Sequence, residues 1–483
     1  MTTRFIDKKL VKLNQQKQDI NLSESELFEK LEVFEPRSFA KISYVKRFNE
    51  RWQADPNFRK QVYINPQDAF ARYQIKLNPE EIRPLWDKDN KRKLGKEISA
   101  FPLLKKCQEF NELLGHVSHK KSISDSLKKS GIQAWRERQI ARTSGQFIQT
   151  FTQQLGHFPV AFELNKGCSV GCAFCGVAAP RLSDIFFYNK NNAQLWREVL
   201  EVVKDILGFA AGMGFCYWAT DPLDNPDYEK FCQDFSEILG IFPHTTTALS
   251  VRDIERTRNL LKLARQKKSV FNRFSVLSLP MLNRIHQEFT PEELALVELV
   301  IQNKESETIK ANVGRLREKK NQQELDYSQQ GTIACVSGFL FNMVERSVKL
   351  ISPCHASERW PLGYIVYDQG NFTNADDLKQ LLTTIISKHA STEIRPNQLI
   401  RFRPDLKYTA FFDGFELSTS LKTYQFRHDF FLCDLGEIIS KESYTTQDIV
   451  SKFEANGIES WQILYYLNLI FERGLLDEQL AIK

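Results

Sequence analysis

Apolar residues recur at helical spacing in segments of the first 150 positions, such as 41–54 and 65–73, with Asp-Pro and Asn-Pro pairs between segments. That spacing predicts an α-helical N-terminal domain over 1–150. From Phe158 the pattern changes to short β-rich apolar runs separated by amphipathic stretches, which predicts successive βα units and a mainly parallel sheet over 151–365. Six strands are expected, at 160–164, 215–219, 245–249, 274–277, 297–301 and 349–352, with helices such as 192–207, 227–239 and 252–264 between the earlier ones. A polar, charged insertion follows at 304–331; at that length it is expected to be either a working lid or disordered. Turn-rich sequence around Asp368 opens a linker or extension, 366–407. The remainder, 408–483, shows strand-like runs at 409–417 and 423–431 and then helices at 435–440, 446–455 and 460–473, the order of a small α+β winged-helix-like domain.

Composition narrows the class. At 483 residues the chain is too long for one domain, and 42% hydrophobic with 26% charged residues is the make-up of a globular protein, not of a disordered, collagen-like or disulfide-stapled one. No apolar run approaches the roughly 20 residues of a membrane span, and the first thirteen residues alternate charge with single apolar positions where a signal peptide would carry an apolar core. A cytoplasmic protein without a membrane partner is expected. The net charge of +6, from 66 basic and 60 acidic residues, is too small and too dispersed to imply nucleic acid. Nine cysteines in such a compartment argue against disulfides and direct attention to the ones that cluster, Cys168, Cys172 and Cys175.

These three stand in Glu163-Leu-Asn-Lys-Gly-Cys168-Ser-Val-Gly-Cys172-Ala-Phe-Cys175-Gly, immediately after the first expected strand. Three thiolates at this spacing can bind three irons of a 4Fe-4S cluster and leave the fourth without a protein ligand. A structural zinc site would need a fourth Cys or His in register, usually as a second Cys pair, and no second pair exists. On this motif the chain resembles the radical S-adenosylmethionine superfamily over about 158–364. The resemblance implies a partial (βα)6 TIM-like barrel, with Cys168, Cys172 and Cys175 as ligands of one 4Fe-4S cluster. The open iron would take S-adenosylmethionine, whose reductive cleavage yields a 5′-deoxyadenosyl radical. It also implies that Phe174 borders the adenine. Where the family commonly has Gly-Gly-Glu to hold the cofactor's amino group, this chain has Ala219, Thr220 and Asp221, a departure that keeps an acceptor for an ammonium group but shortens it by one methylene. Ser275 and Arg252 are further candidates for ribose and carboxylate contacts, the latter with a solvated helix-start arginine as its simpler reading.

After Cys354 only Cys433 remains, so the chain can ligate one cluster only, which disfavours thioether cross-linking that relies on additional clusters. Cys335 and Cys354 are expected near the barrel mouth, Cys354 just past the carboxyl end of the sixth strand, where catalytic groups of βα barrels gather. The strings around 214–228, 272–277, 332–339 and 352–364 resemble proteusin-type epimerases, radical enzymes that convert L- to D-residues in ribosomally made precursor peptides. In such chemistry the adenosyl radical removes a Cα hydrogen, the resulting planar radical loses its handedness, and a thiol returns hydrogen from the opposite face. Cys354 is the first expectation for that donor and Cys335 the second. The resemblance implies a precursor peptide with a leader and a flavodoxin- or ferredoxin-type reductant; separately, the order of elements over 408–483 resembles small winged-helix leader-binding modules, with a structural capping role as the alternative. The alternatives are a splicease-like or carbon–carbon cross-linking maturase, and a non-catalytic peptide-binding scaffold. The segment 48–86 faintly resembles helical leader sequences, with a packed helical domain the favoured reading.

Overall fold

The computed structural model describes residues 36–87, 100–123, 131–148, 152, 155–269, 272–308, 310–319, 331–441 and 444–478. The first thirteen residues, on which the expectation about a signal peptide rests, lie outside them, as do 309 and 320–330 of the polar insertion.

The N-terminal helices are set by their Asp-Pro and Asn-Pro pairs. Helix α1 (Pro36–Ala54) ends just before Asp55, whose carboxylate accepts from the amides of Asn57 and Phe58 and caps α2 (Pro56–Ile64). Asn65 does the same for α3 (Pro66–Arg72), and in both cases proline fills the first helical position, where no amide hydrogen is needed. These helices and α4 (Pro102–Ile123) close a core around Phe48, Phe58, Phe70 and Phe110. Helix α5 (Gly131–Gln146) leaves this unit. Ile132 and Trp135 pack into the central core, and its buried Arg136, Arg138 and Arg142 bond carbonyls of the central and C-terminal parts, so the N-terminal domain is shorter than 1–150.

Strand β1 (Phe158–Glu163) lies at the centre of the main assembly. Val160 and Phe162 face α6 (Lys190–Leu207) and α7 (Tyr228–Leu239), while Ala161 faces the opposite side. The expected second strand, 215–219, is reduced to one parallel bridge between Ala161 and Phe215, and 245–249 to the two-residue β2 (Thr246–Thr247). Beyond β2 come α8 (Ile254–Gln266), β3 (Asn272–Val276), α9 (Leu279–Glu288) and β4 (Val297–Ile301), with β2, β3 and β4 paired in parallel. A short helix α10 (Arg315–Lys319) precedes β5 (Val336–Asn342), and β5 pairs in parallel with β1.

The expected sixth strand, 349–352, belongs to β6 (Ser347–Pro353), and this corrects the topology. It runs antiparallel to β5 and then pairs with β7 (Tyr364–Asn371) in a meander, because the turn at 343–346 is too short for a parallel crossover. The parallel strand of that region is β5, which the sequence reading passed over. The described ladders form several small sheets, and none of them is closed.

The stretch 366–407, expected as a linker or extension, is structured. It continues β7 and forms α11 (Ala375–His389), whose Leu378, Leu382 and Ile385 are buried in the central core. The C-terminal unit has β8 (Lys407–Phe411), β9 (Gly414–Ser418) and β10 (Thr423–Arg427) in one antiparallel sheet. These are followed by α12 (Leu432–Ser440), α13 (Thr446–Glu454) and α14 (Ser460–Glu472) around Phe415, Leu435 and Ile463. The run expected as one strand at 409–417 is a hairpin, turned at Phe412–Asp413. Among the described residues no helix is long and apolar enough to cross a membrane.

Candidate functional site

The three clustered cysteines sit on an excursion that leaves the carboxyl end of β1 and returns to it. Its base is clamped by a short antiparallel pairing of Asn165–Lys166 with Asp184–Ile185, and by the Cys168 amide on the Pro180 carbonyl at 2.9 Å. Gly167 has φ +86°, and a Cβ there would collide with the Pro180–Arg181 backbone, so the first cysteine is presented from a turn that needs glycine.

All three thiols are half-buried. Burial raises the pKa of Cys168, opposed by the amide N–H groups of Val170 and Gly171 directed at its sulfur; burial pushes Cys172 up to about 11, with Cys175 and Cys168 adding to the effect. The Cys175 sulfur accepts from the Ala179 amide at 3.4 Å. Among the described residues no three His, Cys, Asp or Glu side chains are gathered as a ready site for a metal ion. The donor set nevertheless fits an iron–sulfur cube. Its irons occupy separate corners and take thiolates that stand further apart than the ligands of one ion, and the amide hydrogens on two sulfurs match the hydrogen bonds that tune such clusters.

The excursion is anchored by residues that sequence reasoning missed. Asp224, buried, accepts from the Ser169 amide at 2.9 Å, from the Ser169 hydroxyl at 2.6 Å and from Arg252 Nη1 at 2.9 Å. Arg252 also reaches the Leu223 carbonyl, so it is tied into the scaffold, neither a simple solvated arginine nor a free anion-binding group. On the other side, Arg315 Nη1 bonds the Cys172 carbonyl at 2.9 Å, its Nη2 the Ala179 carbonyl, and its amide the Cys175 carbonyl at 3.0 Å. The described part of the polar insertion is therefore ordered against the cysteine loop. Lys310, from the same stretch, sits 4.2 Å from the centre of the Phe174 ring.

Ala219, Thr220 and Asp221, expected in the place of Gly-Gly-Glu, make these contacts within the protein. The Ala219 amide donates to Glu163 Oε1 at 2.8 Å, and Thr220 Oγ1 accepts from Asn165 Nδ2 at 2.9 Å. Asp221 is buried. Its Oδ1 accepts from Thr247 Oγ1 at 2.7 Å and from the Leu223 amide at 3.0 Å, and its Oδ2 from the Ala248 amide at 2.7 Å. Burial raises its pKa to about 6 against those hydrogen bonds. Within the protein its carboxylate staples the segment after Phe215 to β2 and the residue after it. Ser275 lies on β3 between Phe274 and Val276, which face the helices, so it faces the other side, as does Arg273, ion-paired with Glu298 at 2.9 Å.

The two single cysteines part company. Because β6 runs antiparallel to β5, Cys354 lies at the end of the sheet where β1 begins, not at the carboxyl end expected for it; five residue steps along β1, about 17 Å, separate the two ends. Cys354 is also turned towards α5, with Arg142 and Asp405 its charged neighbours, and burial pushes it up to about 12. Cys335 also starts a strand at that end, its carbonyl accepting from the Phe158 amide at 2.7 Å. It packs, however, on the face opposite the helices, with Ala161, Phe215, Tyr217, Trp218 and Tyr364. Two residues earlier, Ile333 occupies the space beside Gly176, where a Cβ would lie 2.5 Å from its Cδ1. Cys335 is therefore about 7 Å or less along the chain from a residue touching the cysteine loop. Burial pushes its pKa to about 12 despite nearby Arg273, which keeps it a thiol.

No family model matches the chain, and no solved structure matches it. It is 37% identical over 458 residues to "Uncharacterized protein y4wI" of Sinorhizobium fredii, an alignment covering 92% of this chain and 89% of that one. Similarity of that extent means that the chain belongs to the same family as the y4wI protein.

Proposed function

We propose that the protein is a radical S-adenosylmethionine peptide epimerase, which converts L- to D-residues in a ribosomally made precursor. The observation that carries the reading is the Cys168–Cys172–Cys175 excursion at the carboxyl end of β1, braced by Asp224 and Arg315. When bound there, a 4Fe-4S cluster with S-adenosylmethionine supplies a primary carbon radical able to remove a peptide Cα hydrogen.

The chain's own residues then decide the outcome. Phe174 and Ser275 remain available to flank the cofactor, whereas Ala219, Thr220, Asp221 and Arg252 shape the pocket wall. Cys335 becomes the preferred hydrogen donor in place of Cys354, since it shares a face with Ala161 and Tyr217 and its chain approaches Gly176. A protonated thiol gives up a hydrogen atom, so a high pKa suits it. The sulfur left one hydrogen short regains it as one electron from a flavodoxin- or ferredoxin-class reductant and one proton from solvent. The C-terminal unit, three antiparallel strands followed by three helices, has the element order of leader-binding modules and is proposed to hold the precursor's leader. A cytoplasmic setting belongs to the same proposal.

The test is the chirality and deuterium content of a co-expressed precursor modified in deuterated water. Wild type should yield deuterium-labelled D-residues without any other change of mass, and Cys335→Ala should still cleave the cofactor while losing the label. Unchanged product from Cys335→Ala together with loss in Cys354→Ala would restore the original order of donors. A mass loss or a cross-link would point to a splicease-like or bond-forming maturase instead. Absence of iron after anaerobic reconstitution would favour a binding scaffold.

A further inference from the structure

We infer that the segment 310–319 is a strap that fixes the shape of the cysteine loop, with Arg315 as its positioning residue. The inference rests on the reading of Cys168, Cys172 and Cys175 as cluster ligands for its purpose, though not for its geometry. Three donors of Arg315 converge on the carbonyls of Cys172, Cys175 and Ala179, and so span the turn that carries the second and third cysteines. A guanidinium is suited to this because its planar fork holds two carbonyls at once.

The strap can lie this close only because position 314 is glycine. Gly314, at φ +57°, would place a Cβ 2.5 Å from the Cys175 carbonyl oxygen, and Gly176 is closed in on another side by Ile333. The strap is itself fastened, the Gly314 amide to the Pro361 carbonyl at 3.1 Å and Arg317 to the Ala356 carbonyl at 3.3 Å. The loop 354–363 and the cysteine loop are thus joined through residues that the cluster motif does not contain. A peptide or cofactor entering beside Phe174 must meet Lys310, which already rests on that ring.

The strap is tested on metal-free full-length protein by the rate at which a maleimide labels each cysteine, read by peptide mass spectrometry. Arg315→Ala is expected to speed labelling of Cys172 and Cys175 by about tenfold or more, the factor that ~1.4 kcal/mol of easier local opening gives. Arg315→Lys should fall between, and Arg317→Ala, which removes one fastening of the strap but keeps the Arg315 contacts, should accelerate labelling less than Arg315→Ala. Gly314→Ala provides a second route, since it forces the strap off the loop while leaving the guanidinium present; it should reproduce the Arg315→Ala pattern. In reconstituted protein, the same variants should lose iron to a chelator faster than wild type. Equal rates for wild type and Arg315→Ala, or equal acceleration at Cys107 and Cys335, would overturn the inference. A wild type that takes up no iron would sink the proposed function and leave the labelling result to decide the strap.

Discussion

Asp221 separates two roles that one carboxylate can play beside the proposed cofactor site. Were it held for a ligand's ammonium, its removal would leave the free protein unchanged. The geometry instead gives it three internal donors, from Thr247 Oγ1 and the amides of Leu223 and Ala248, at 2.7, 3.0 and 2.7 Å, in a side chain that is buried. Hydrogen bonds to a charged acceptor are each worth about 1.5–3 kcal/mol. They are not additive, and water entering a truncated site recovers part of the loss, so Asp221→Ala is expected to cost about 3 kcal/mol in local stability. Asp221→Asn keeps one acceptor oxygen and turns an amide hydrogen towards one of the donors, for about half that cost. The assay is hydrogen exchange by mass spectrometry on peptides covering 222–225 and 245–250. Three kcal/mol of easier opening corresponds to roughly 150-fold faster exchange, whereas a peptide in α4, in the N-terminal unit, should be unaffected. Exchange at wild-type rates in both peptides would refute the staple and return Asp221 to the role of ligand holder.

Other outcomes follow from burial and backbone. Burial and the nearby Arg136 and Arg142 push the pKa of His157 down to about 3, and burial pushes His286 down to about 4 against the pull of Glu50. Both are neutral in the fold and bind protons near 6.5 when unfolded, so the stability they contribute is complete above that value and falls as pH drops towards 3–4. Between pH 7 and 5 each should cost about 2 kcal/mol, read from urea midpoints, and His157→Gln should flatten its share of the slope; identical pH dependence in the variant would refute this. Trp196, fully buried at 4.9 Å from the Phe162 ring, should cost about 3–5 kcal/mol on truncation to Ala, measured by chemical denaturation. Gly338→Ala drives a Cβ onto the Pro159 carbonyl and should disrupt the β1–β5 pairing, seen as loss of soluble protein, while Gly457→Ala, in open space but at φ +81°, should cost only the ~1–2 kcal/mol of left-handed backbone strain. At the surface, Trp461→Ser on α14 should change stability by no more than about 0.5 kcal/mol, since the side chain is 65% exposed.

What the sequence made legible was local. The Asp-Pro and Asn-Pro junctions predicted the boundaries of α2 and α3 because cap and first-turn proline act over three residues, and the amphipathic stretches predicted α6, α7 and α8 to within a few positions. The three C-terminal helices were visible for the same reason. Strands fared less well. Residues 215–219 are apolar enough for a strand but make one bridge only, since the chain bends at Cys216 and again over 218–220 before it reaches Asp221. β5, almost wholly buried, carries no alternation to mark it off from a core helix segment. Missing β5 displaced the sixth strand onto β6, and that single error put Cys354 at the wrong end of the sheet.

The candidate site divides along the same line. Its thiols were found because spacing within eight residues is a sequence property. Their supports were not, because Ser169 and Asp224 lie 55 positions apart and Arg315 and Cys172 143 apart. Asp224 sits in a string already singled out, yet only the fold distinguishes it from Asp221, three residues away, since both carboxylates are buried and both accept amides. The difference is the partner. Asp221 binds the segment after Phe215 to β2, and Asp224 binds the cysteine loop to Arg252 just before α8. A family motif fixes which chemistry a loop can carry, whereas the charges that brace the loop, Asp224 on one side and Arg315 on the other, come from elements whose sequence does not announce them. For this chain the bracing residues are therefore the ones whose substitution should distinguish a working thiol loop from three cysteines that merely share a turn.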